Sequence, residues 1–272
     1  MSKNIFPHSE IQNLLAVKTN LVCVVGYGLS FEANAPHYFD IQNGIWSKLD
    51  KQSLINPFTS ARHLEVVSNW FNWRRMYLKA TVPSLIFQTL KQMQMKWSLK
   101  VATQCVDGLA GIGGINHCSE LYGNALKAKC YDNGHEFAAF PYGSNETDSF
   151  VACESCGSIL FPDVQMFDWN SKKAICDEFF ESIKQADLII NIGTRDDLEP
   201  FSNAINEFSA SIPILIISES GVSFCVENQI YRITQKEMLE IIKTKFVDAE
   251  KQFSPEGGRL NQVMECVLKL YE

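Results

Sequence analysis

A glycine-containing turn, Gly26-Tyr27-Gly28-Leu29-Ser30, follows the apolar run Leu21–Val25. Glycines at such a position let the backbone approach a phosphate, and N–H groups at the start of a following helix stabilise its negative charge. Gly193-Thr194 and Ser218-Glu219 follow two later apolar runs, and Glu219 is placed to accept hydrogen bonds from ribose hydroxyls. Together these turns predict a nucleotide-binding site, although each alone is compatible with ordinary turn chemistry.

A fourth polar segment, Thr103-Gln104-Cys105-Val106-Asp107-Gly108-Leu109, follows another apolar run. Ligands of open parallel sheets bind at the carboxyl ends of the strands, where Gln104 or Asp107 could hydrogen-bond a ribose or an amide. The alternative, with equal weight, is a simple strand-end turn in which Asp107 caps a helix.

Three cysteines have the spacing of a zinc site. Cys153 and Cys156 form a Cys-x-x-Cys pair on a loop, and Cys130 precedes them. The position three residues after Cys130 holds Asn133, so His135 is the nearest candidate for a fourth ligand. Three thiolates and one imidazole would make a closed structural zinc site. The alternative is a decayed site without metal, because three ligands alone hold structural zinc poorly.

Composition narrows the class of protein. The chain has 272 residues and a net charge of −7, which argues against nucleic acid as the main partner because phosphates require clustered basic residues. It contains no apolar run of about 18 residues that would span a membrane, and Met1–Glu10 lacks the pattern of a signal peptide. Nine scattered cysteines fit a reducing compartment, and we expect a cytoplasmic protein.

The apolar runs alternate with helical patterns, which predicts an α/β fold with a parallel sheet. The predicted strands are Leu21–Val25, Leu99–Ala102, Asp187–Ile192 and Pro213–Ile217, and the predicted helices include Ala174–Ala186, Lys236–Phe246 and Gln262–Leu270. Two stretches interrupt the alternation. Ser47–Trp97 is aromatic-rich and helical in pattern, and Cys130–Asp163 is loop-like. We expect them to form a smaller domain from residues 47–97 and 129–163, inserted into a large domain of about 1–46, 98–128 and 164–272.

Read in order, these segments resemble the sirtuin family from about Leu21 to about Glu219. The turn at Gly26–Ser30 is similar to the family's Gly-Ala-Gly-Ile-Ser, and Thr103–Leu109 is similar to its Thr-Gln-Asn-Ile-Asp-Gly-Leu. The further matching segments are Gly44-Ile45-Trp46, Glu120-Leu121-Tyr122-Gly123, Cys153–Cys156, Leu160–Val164 with Phe167, and Ile192-Gly193-Thr194.

The resemblance implies a Rossmann-like large domain, a small domain of helical and zinc-ribbon-like modules, and NAD bound between them. Sirtuins cleave the nicotinamide–ribose bond and pass the ADP-ribosyl group to an acyl-lysine oxygen, so the implied partners are NAD or ADP-ribose and an acyl-lysine peptide or other protein acceptor. The implied cofactor-binding residues are Gly26, Tyr27, Gly28, Ser30, Glu32, Tyr38, Gln104, Gly193, Thr194, Ser218 and Glu219. The implied catalytic positions are Tyr122, Cys105 and Asp107, and the implied zinc ligands are Cys130, His135, Cys153 and Cys156.

Departures from the family pattern fall where nicotinamide and substrate would sit. Tyr122 replaces the catalytic His, and a phenol with a pKa of about 10 is a poorer base near neutrality than an imidazole of about 6.5. Cys105 replaces the family's Asn, and its thiol forms weaker hydrogen bonds than an amide. The family's Pro-Asp-Phe-Arg segment is Pro36-His37-Tyr38-Phe39 in this chain. Ser218 replaces the family's Asn in the fourth-strand turn, and Arg195 replaces the Ser that follows its Gly-Thr.

Three hypotheses follow. The first is a diverged NAD-binding enzyme that cleaves NAD, with His117, His37 or a Cys105 of lowered pKa as possible substitutes for the lost groups. The second is an inactive NAD or ADP-ribose binder that regulates a partner. The third is an interaction module without nucleotide, which would require Tyr27 or Arg195 to block the glycine turn.

Overall fold

The computed structural model describes two β-sheets and the helices that flank them. The described residues are 20–36, 64–130, 132–139, 151–165, 173–194, 211–218, 221–226 and 229–233. The strands are β1 Asn20–Val25, β2 Ser98–Thr103, β3 Cys118–Glu120, β4 Gly123–Cys130, β5 Glu136–Phe137, β6 Val151–Ala152, β7 Ile159–Val164, β8 Leu188–Ile192, β9 Ile214–Ser218, β10 Gly221–Val226 and β11 Gln229–Ile233. The helices are α1 Tyr27–Glu32, α2 Leu64–Ala80, α3 Leu85–Lys96, α4 Leu109–Ile112 and α5 Lys173–Lys184.

The large sheet has the strand order β11-β10-β9-β8-β1-β2-β3. The strands from β9 to β3 run parallel, which confirms the predicted α/β fold with a Rossmann-like sheet. The pairings of β10 with β9 and with β11 are antiparallel, so one edge of the sheet ends in a hairpin that the sequence analysis did not predict.

Strand β1 lies at the centre of the parallel part, between β8 and β2, and both of its faces are covered. Alternate residues point to opposite layers: Cys23 belongs to the core cluster on one face of the sheet, and Val24 belongs to the cluster on the other. The first layer contains residues of α1, α3 and α4, and the second contains Phe179 and Ile183 of α5. A strand buried on both faces must be a continuous apolar run, as Leu21–Val25 is.

The register brings three strand ends together. Val25 at the end of β1 pairs with Thr103 of β2 on one side and with Ile192 of β8 on the other. The chain proceeds from β1 to β2 in one direction and returns through β8 on the opposite side, which makes the end of β1 a topological switch point. Crevices at such points are the usual ligand sites of open parallel sheets.

The segments that interrupt the alternation contain α2, α3, β5, β6 and most of β7. These three strands join β4 in a four-stranded antiparallel sheet of order β5-β4-β7-β6. The prediction that Cys130–Asp163 is loop-like was wrong for its described residues, since β5, β6 and part of β7 lie there. Strands β5 and β6 have two residues each, and backbone pairing can order such short strands without an alternating pattern of side chains. The domain boundaries given above stay a prediction.

Several expectations concern residues outside the described ranges: the helices Lys236–Phe246 and Gln262–Leu270, and the positions His37, Tyr38, Arg195 and Glu219. Among the helices that the structure describes, none combines the length and the hydropathy needed to traverse a bilayer.

Candidate functional site

The turn that follows β1 packs directly on the turn that follows β8. Gly26 N donates to Ile192 O over 2.9 Å, and Gly28 N donates to Gly193 O over 2.9 Å. A Cβ atom at Gly26 would lie 2.3 Å from Thr194 Cα, so only glycine permits this approach of the two backbones. These glycines therefore join two strand ends, and their predicted approach to a phosphate stays a prediction.

Hydrogen bonds with neighbouring residues fix the positions of Gly193 and Thr194. Gly193 has a φ of +58°, a conformation that favours glycine, and its N–H donates to Ile217 O of β9 over 2.8 Å. The Thr194 hydroxyl donates to Oδ1 of Asn191, which is only 3% exposed. Sequence reasoning missed Asn191, although a single polar residue inside the apolar strand β8 was a usable signal.

Ser30, Asp107 and Cys105 form a buried polar cluster beside this junction. Ser30 Oγ lies 2.5 Å from Asp107 Oδ2 and 3.2 Å from Cys105 Sγ, and it can donate its single proton to either. Ser30 is 1% exposed and Asp107 is 2% exposed, so the carboxylate depends on protein donors for its hydrogen bonds. The other carboxylate oxygen, Asp107 Oδ1, accepts from Leu109 N over 3.0 Å.

Asp107 links two elements at the sheet edge, and its hydrogen bond to a ribose or an amide stays a prediction. Its Oδ1 bond holds the start of α4, as a helix cap would, and its Oδ2 bond joins the turn after β2 to α1. Gly108 follows with a φ of +73°, and a Cβ there would lie 2.6 Å from Leu126 Cδ1. Gln104, wholly buried, continues the edge of the sheet by donating its N–H to Val25 O over 2.8 Å.

Cys105 is a neutral thiol in this setting. Burial raises the pKa of Cys105 far above its ordinary value, and the nearby Asp107 carboxylate raises it further. Hydrogen bonds from Ser30 and Thr103 and the charge of Arg74 act in the opposite direction but do not reverse the shift. Because only the thiolate is a good nucleophile, these surroundings argue against Cys105 as an attacking group.

Tyr122 lies in the turn between β3 and β4. It is half-buried and packs against the core cluster that includes Cys176 and Phe179 of α5. Its carbonyl accepts from Gln165 N over 2.7 Å, which joins the turn to the residue after β7. The backbone around the predicted catalytic position is therefore fixed.

An ion pair that the sequence analysis did not foresee stabilises the same turn. Lys127 Nζ donates to Glu120 Oε2 over 2.7 Å, and Asn124 Nδ2 donates to Glu120 Oε1 over 2.5 Å. Asn124 Oδ1 also accepts from Leu126 N over 2.8 Å. With both oxygens engaged, Glu120 is a structural partner of β4 rather than a free base.

The remaining predicted residues have simpler positions. Tyr27 is partly exposed at the start of α1, and Glu32 at the end of α1 accepts a hydrogen bond from Ser84. Ser218 closes β9 at the same edge of the sheet, and only its backbone position is described. His117, considered as a substitute base, is exposed and has a φ of 52°.

The second sheet brings the four predicted zinc ligands into one cluster. One ligand atom from each of Cys130, His135, Cys153 and Cys156 lies within 4.8 Å of the others. Cys130 Sγ is 3.4 Å from Cys156 Sγ, and Cys153 Sγ is 3.5 Å from His135 Nδ1. Tetrahedral zinc with Zn–S bonds of about 2.3 Å requires sulfur separations of about 3.8 Å, so this donor set fits the ion.

The ionisation of Cys130 and Cys153 also suits a cation, whereas the other two ligands must lose a proton when a metal binds. A hydrogen bond with Asn133 lowers the pKa of Cys156, but burial and its bonds to Cys130 and Cys153 raise that pKa overall, and hydrogen bonds to Cys153 and Cys130 raise the pKa of His135. Burial opposes ionisation of Cys130, but hydrogen bonds from the Asn133 backbone and from Cys156 lower the pKa of Cys130 to about 6. The pKa of Cys153 is lowered too, where burial is outweighed by hydrogen bonds from the Ser155 backbone and from His135. Thiolates are the form that binds zinc.

Comparison with known proteins agrees with this geometry. The family model described as "Sir2 family" matches residues 26–200. An NAD-dependent protein deacylase of Aeropyrum pernix is 32% identical over 192 residues, which cover 70% of this chain and 77% of that protein. A parallel sheet with a strand-end crevice and an inserted second sheet defines the class of fold, and with these matches the chain belongs to the Sir2 family.

Solved structures share the whole architecture. A Sir2 homologue–NAD complex superposes with a TM-score of 0.74 at 20% identity, covering 99% of this chain and 96% of that one. A mutant Sir2 homologue in complex with ADP-ribose gives a TM-score of 0.72 at 21% identity, covering 96% of this chain and 95% of that one. At these identities the likeness concerns the fold.

Proposed function

We propose that this chain binds NAD at the carboxyl edge of the parallel sheet and cleaves its nicotinamide–ribose bond. The observation that carries the proposal is the buried contact of Ser30 with Asp107 beside the paired glycine turns. Its support is physical: a polar cluster costs free energy inside a core, and it is placed where open α/β sheets bind ligands. The name of the Aeropyrum pernix relative, an NAD-dependent protein deacylase, points the same way.

The residues present fit a dinucleotide. Gly26 and Gly193 bring two backbone turns together, which leaves no side chain between the ends of β1 and β8. Ser30 and Thr194 contribute hydroxyl oxygens that can accept from ribose hydroxyls, since each has its own proton engaged elsewhere. Tyr27, Gly28, Glu32, Tyr38, Gln104, Ser218 and Glu219 are proposed to complete the site.

The glycosidic bond of NAD joins ribose to a positively charged nicotinamide. Because nicotinamide becomes neutral as it leaves, its departure needs no proton. The task of the protein is therefore to position and to stabilise charge rather than to transfer a proton. The buried Asp107 carboxylate provides fixed negative charge at this edge, and Ser30 holds its orientation. Tyr122 is a weak base, so we expect hydrolysis or ADP-ribosyl transfer at a low rate, with acyl-lysine deacylation weaker than in proteins that keep the His.

The test is the release of nicotinamide from NAD by the purified protein, with and without an acetyl-lysine or other acyl-lysine peptide. The proposal expects release above the buffer rate that Asp107→Asn reduces. No release in either condition would contradict the cleavage step.

A second candidate, a catalytically inactive NAD or ADP-ribose binder, is favoured by one observation. The two replaced positions hold a phenol and a neutral, buried thiol, neither of which is a general base near neutrality. This candidate expects nucleotide binding without turnover. If the double substitution Tyr122→His with Cys105→Asn creates deacylation while the unmodified chain has none, the scaffold is complete and only the chemistry has been removed.

We also propose that Cys130, His135, Cys153 and Cys156 hold a structural zinc ion. Their donor chemistry and separations support this assignment. The ion would join the turn after β4 to the turn after β6, and its role would be to hold the second sheet together.

A further inference from the structure

The segment from Gly26 to Pro36 is one compact unit that carries Ser30. Ala33 N donates to Leu29 O over 3.1 Å, and Ala35 N donates to Ser30 O over 2.8 Å, so the chain after α1 folds back on the helix. Asn34 has a φ of 53°, which permits this reversal. Any shift of the unit therefore moves the Ser30 hydroxyl.

Two side chains from the inserted helices hold this unit at its far end. Ser84, the N-cap of α3, donates its hydroxyl to Glu32 Oε2, and Ser84 Oγ itself accepts from Ile86 N over 3.2 Å. Arg74 of α2 donates from Nε to Pro36 O over 2.9 Å. The partners are 52 and 38 residues apart in the sequence, so the contacts are tertiary.

The Arg74 contact is rigid. Arg74 is 1% exposed, and its guanidinium carbon lies 5.4 Å from the centroid of the Trp70 ring. A buried guanidinium loses its hydration and must be compensated by hydrogen bonds, so its position is strongly constrained by Pro36 O and by the ring. The charge of Arg74 also acts on Cys105, which places it near the polar cluster.

We propose that Arg74 and Ser84 are positioning residues, which hold the Gly26–Pro36 unit so that Ser30 faces Asp107 and the dinucleotide. The inference rests on the proposed NAD binding and adds that the inserted helices determine how well the nucleotide is held. Small displacements of positioning groups matter, since a misplacement of about 1 Å can lower a reaction rate on the order of 100-fold.

Substitutions at Ser84 separate positioning from helix capping. Asn and Asp cap helices about as well as Ser, so Ser84→Asn and Ser84→Asp should both keep α3. Only Ser84→Asp places a carboxylate against Glu32. We expect Ser84→Asp to weaken ADP-ribose binding by roughly tenfold and Ser84→Asn to have little effect. Thr81→Ala, which removes an exposed hydroxyl bonded to Tyr77 O at the end of α2, is the matched control and should leave affinity unchanged.

Arg74→Lys provides an independent variant, because it keeps the charge but loses the planar Nε donor. The full-length variants are compared by calorimetric titration with ADP-ribose, by unfolding midpoint and by hydrogen exchange of amides 27–35 without ligand. The proposal expects faster exchange in that unit and weaker binding for Ser84→Asp and Arg74→Lys, with no such change for Ser84→Asn or Thr81→Ala.

The outcomes are distinguishable. Faster exchange with unchanged affinity would overturn the positioning role, and so would unchanged exchange in both variants. If the unmodified chain does not bind ADP-ribose, the proposed function fails and the positioning of a nucleotide fails with it, whereas the exchange data still report whether the two contacts hold the unit.

Discussion

Ser30 and Asp107, which are 77 residues apart in the sequence, share a buried hydrogen bond of 2.5 Å. The bond joins the helix after β1 to the turn after β2, so it connects the ends of two adjacent parallel strands. Since Asp107 also accepts from Leu109 N, one serine hydroxyl and one carboxylate together determine how α1 and α4 sit at the crevice.

Ser30→Ala should lower both stability and nucleotide affinity. It leaves a buried carboxylate oxygen without its serine donor, which costs about 1–3 kcal/mol in free energy of unfolding. Urea denaturation and calorimetric titration with ADP-ribose measure the two effects. Ser182→Ala is the control, because Ser182 is also buried but its hydroxyl contacts Glu178 O of α5 and Lys100 Nζ of β2, neither of which belongs to the proposed site, and it should not alter affinity. Equal affinity of Ser30→Ala and the unmodified chain would contradict the role of this pair.

Gly26→Ala should separate the two strand-end turns. The added Cβ would lie 2.3 Å from Thr194 Cα and 2.6 Å from Gly193 O, and neither backbone atom can move without breaking the β1–β8 junction. Overpacking of this kind costs about 1–3 kcal/mol, and we expect ADP-ribose binding to be lost. Gly111→Ala is the matched control, since its Cβ would meet nothing within 4 Å and alanine favours a helix. A Gly26→Ala protein that binds ADP-ribose normally would refute the close approach.

Stability should fall as the pH rises above about 9. Burial raises the pKa values of Cys23, Cys105 and Cys118 above the ordinary value of 9.0, for Cys118 to about 12. The folded chain then keeps protons that the unfolded chain releases, so unfolding becomes easier as the pH rises in this range, whereas these three thiols stay protonated in both states at lower pH. Urea denaturation at about pH 8 and 10 measures the loss in free energy of unfolding, and Cys105→Ser should reduce the slope of that free energy against pH. A slope that is unchanged in Cys105→Ser would show that this thiol does not contribute.

Removal of the fourth zinc ligand should reduce metal content. We expect one zinc ion per chain, retained by His135→Cys and lost or weakened by His135→Ala, because a site with three protein ligands is incomplete. His117→Ala is the control, since His117 is an exposed histidine outside the cluster. Metal analysis after dialysis against a chelator, together with the unfolding midpoint, provides the measurement. Full zinc retention in His135→Ala would exclude this histidine as a ligand.

The glycine turns and the parallel strands were predictable because their causes are local. An apolar run such as Leu21–Val25 followed by glycine identifies a buried strand and its turn, and ordered family motifs identify the sheet that contains them. The Cys-x-x-Cys pair and His135 were found from spacing alone, and the structure brings both into one cluster with Cys130.

The contacts that organise the site were not predictable in the same way. Arg74 lies in an aromatic-rich helical stretch, and nothing in its local sequence indicates that it reaches Pro36 O. Asn191 and Lys127 act through closer partners, Thr194 and Glu120, which lie three and seven residues away in the sequence, and these contacts depend on the geometry of the strand ends. The antiparallel β10–β11 hairpin was missed because pairing direction depends on chain connection and not on strand composition.

Calorimetric titration of the full-length protein with ADP-ribose is the decisive experiment on whether the carboxyl edge of the sheet holds an adenine dinucleotide. We expect saturable one-to-one binding with a dissociation constant on the order of micromolar, weakened in Ser30→Ala and abolished in Gly26→Ala. Absence of binding at millimolar ADP-ribose and NAD, by a protein that unfolds cooperatively, would contradict it.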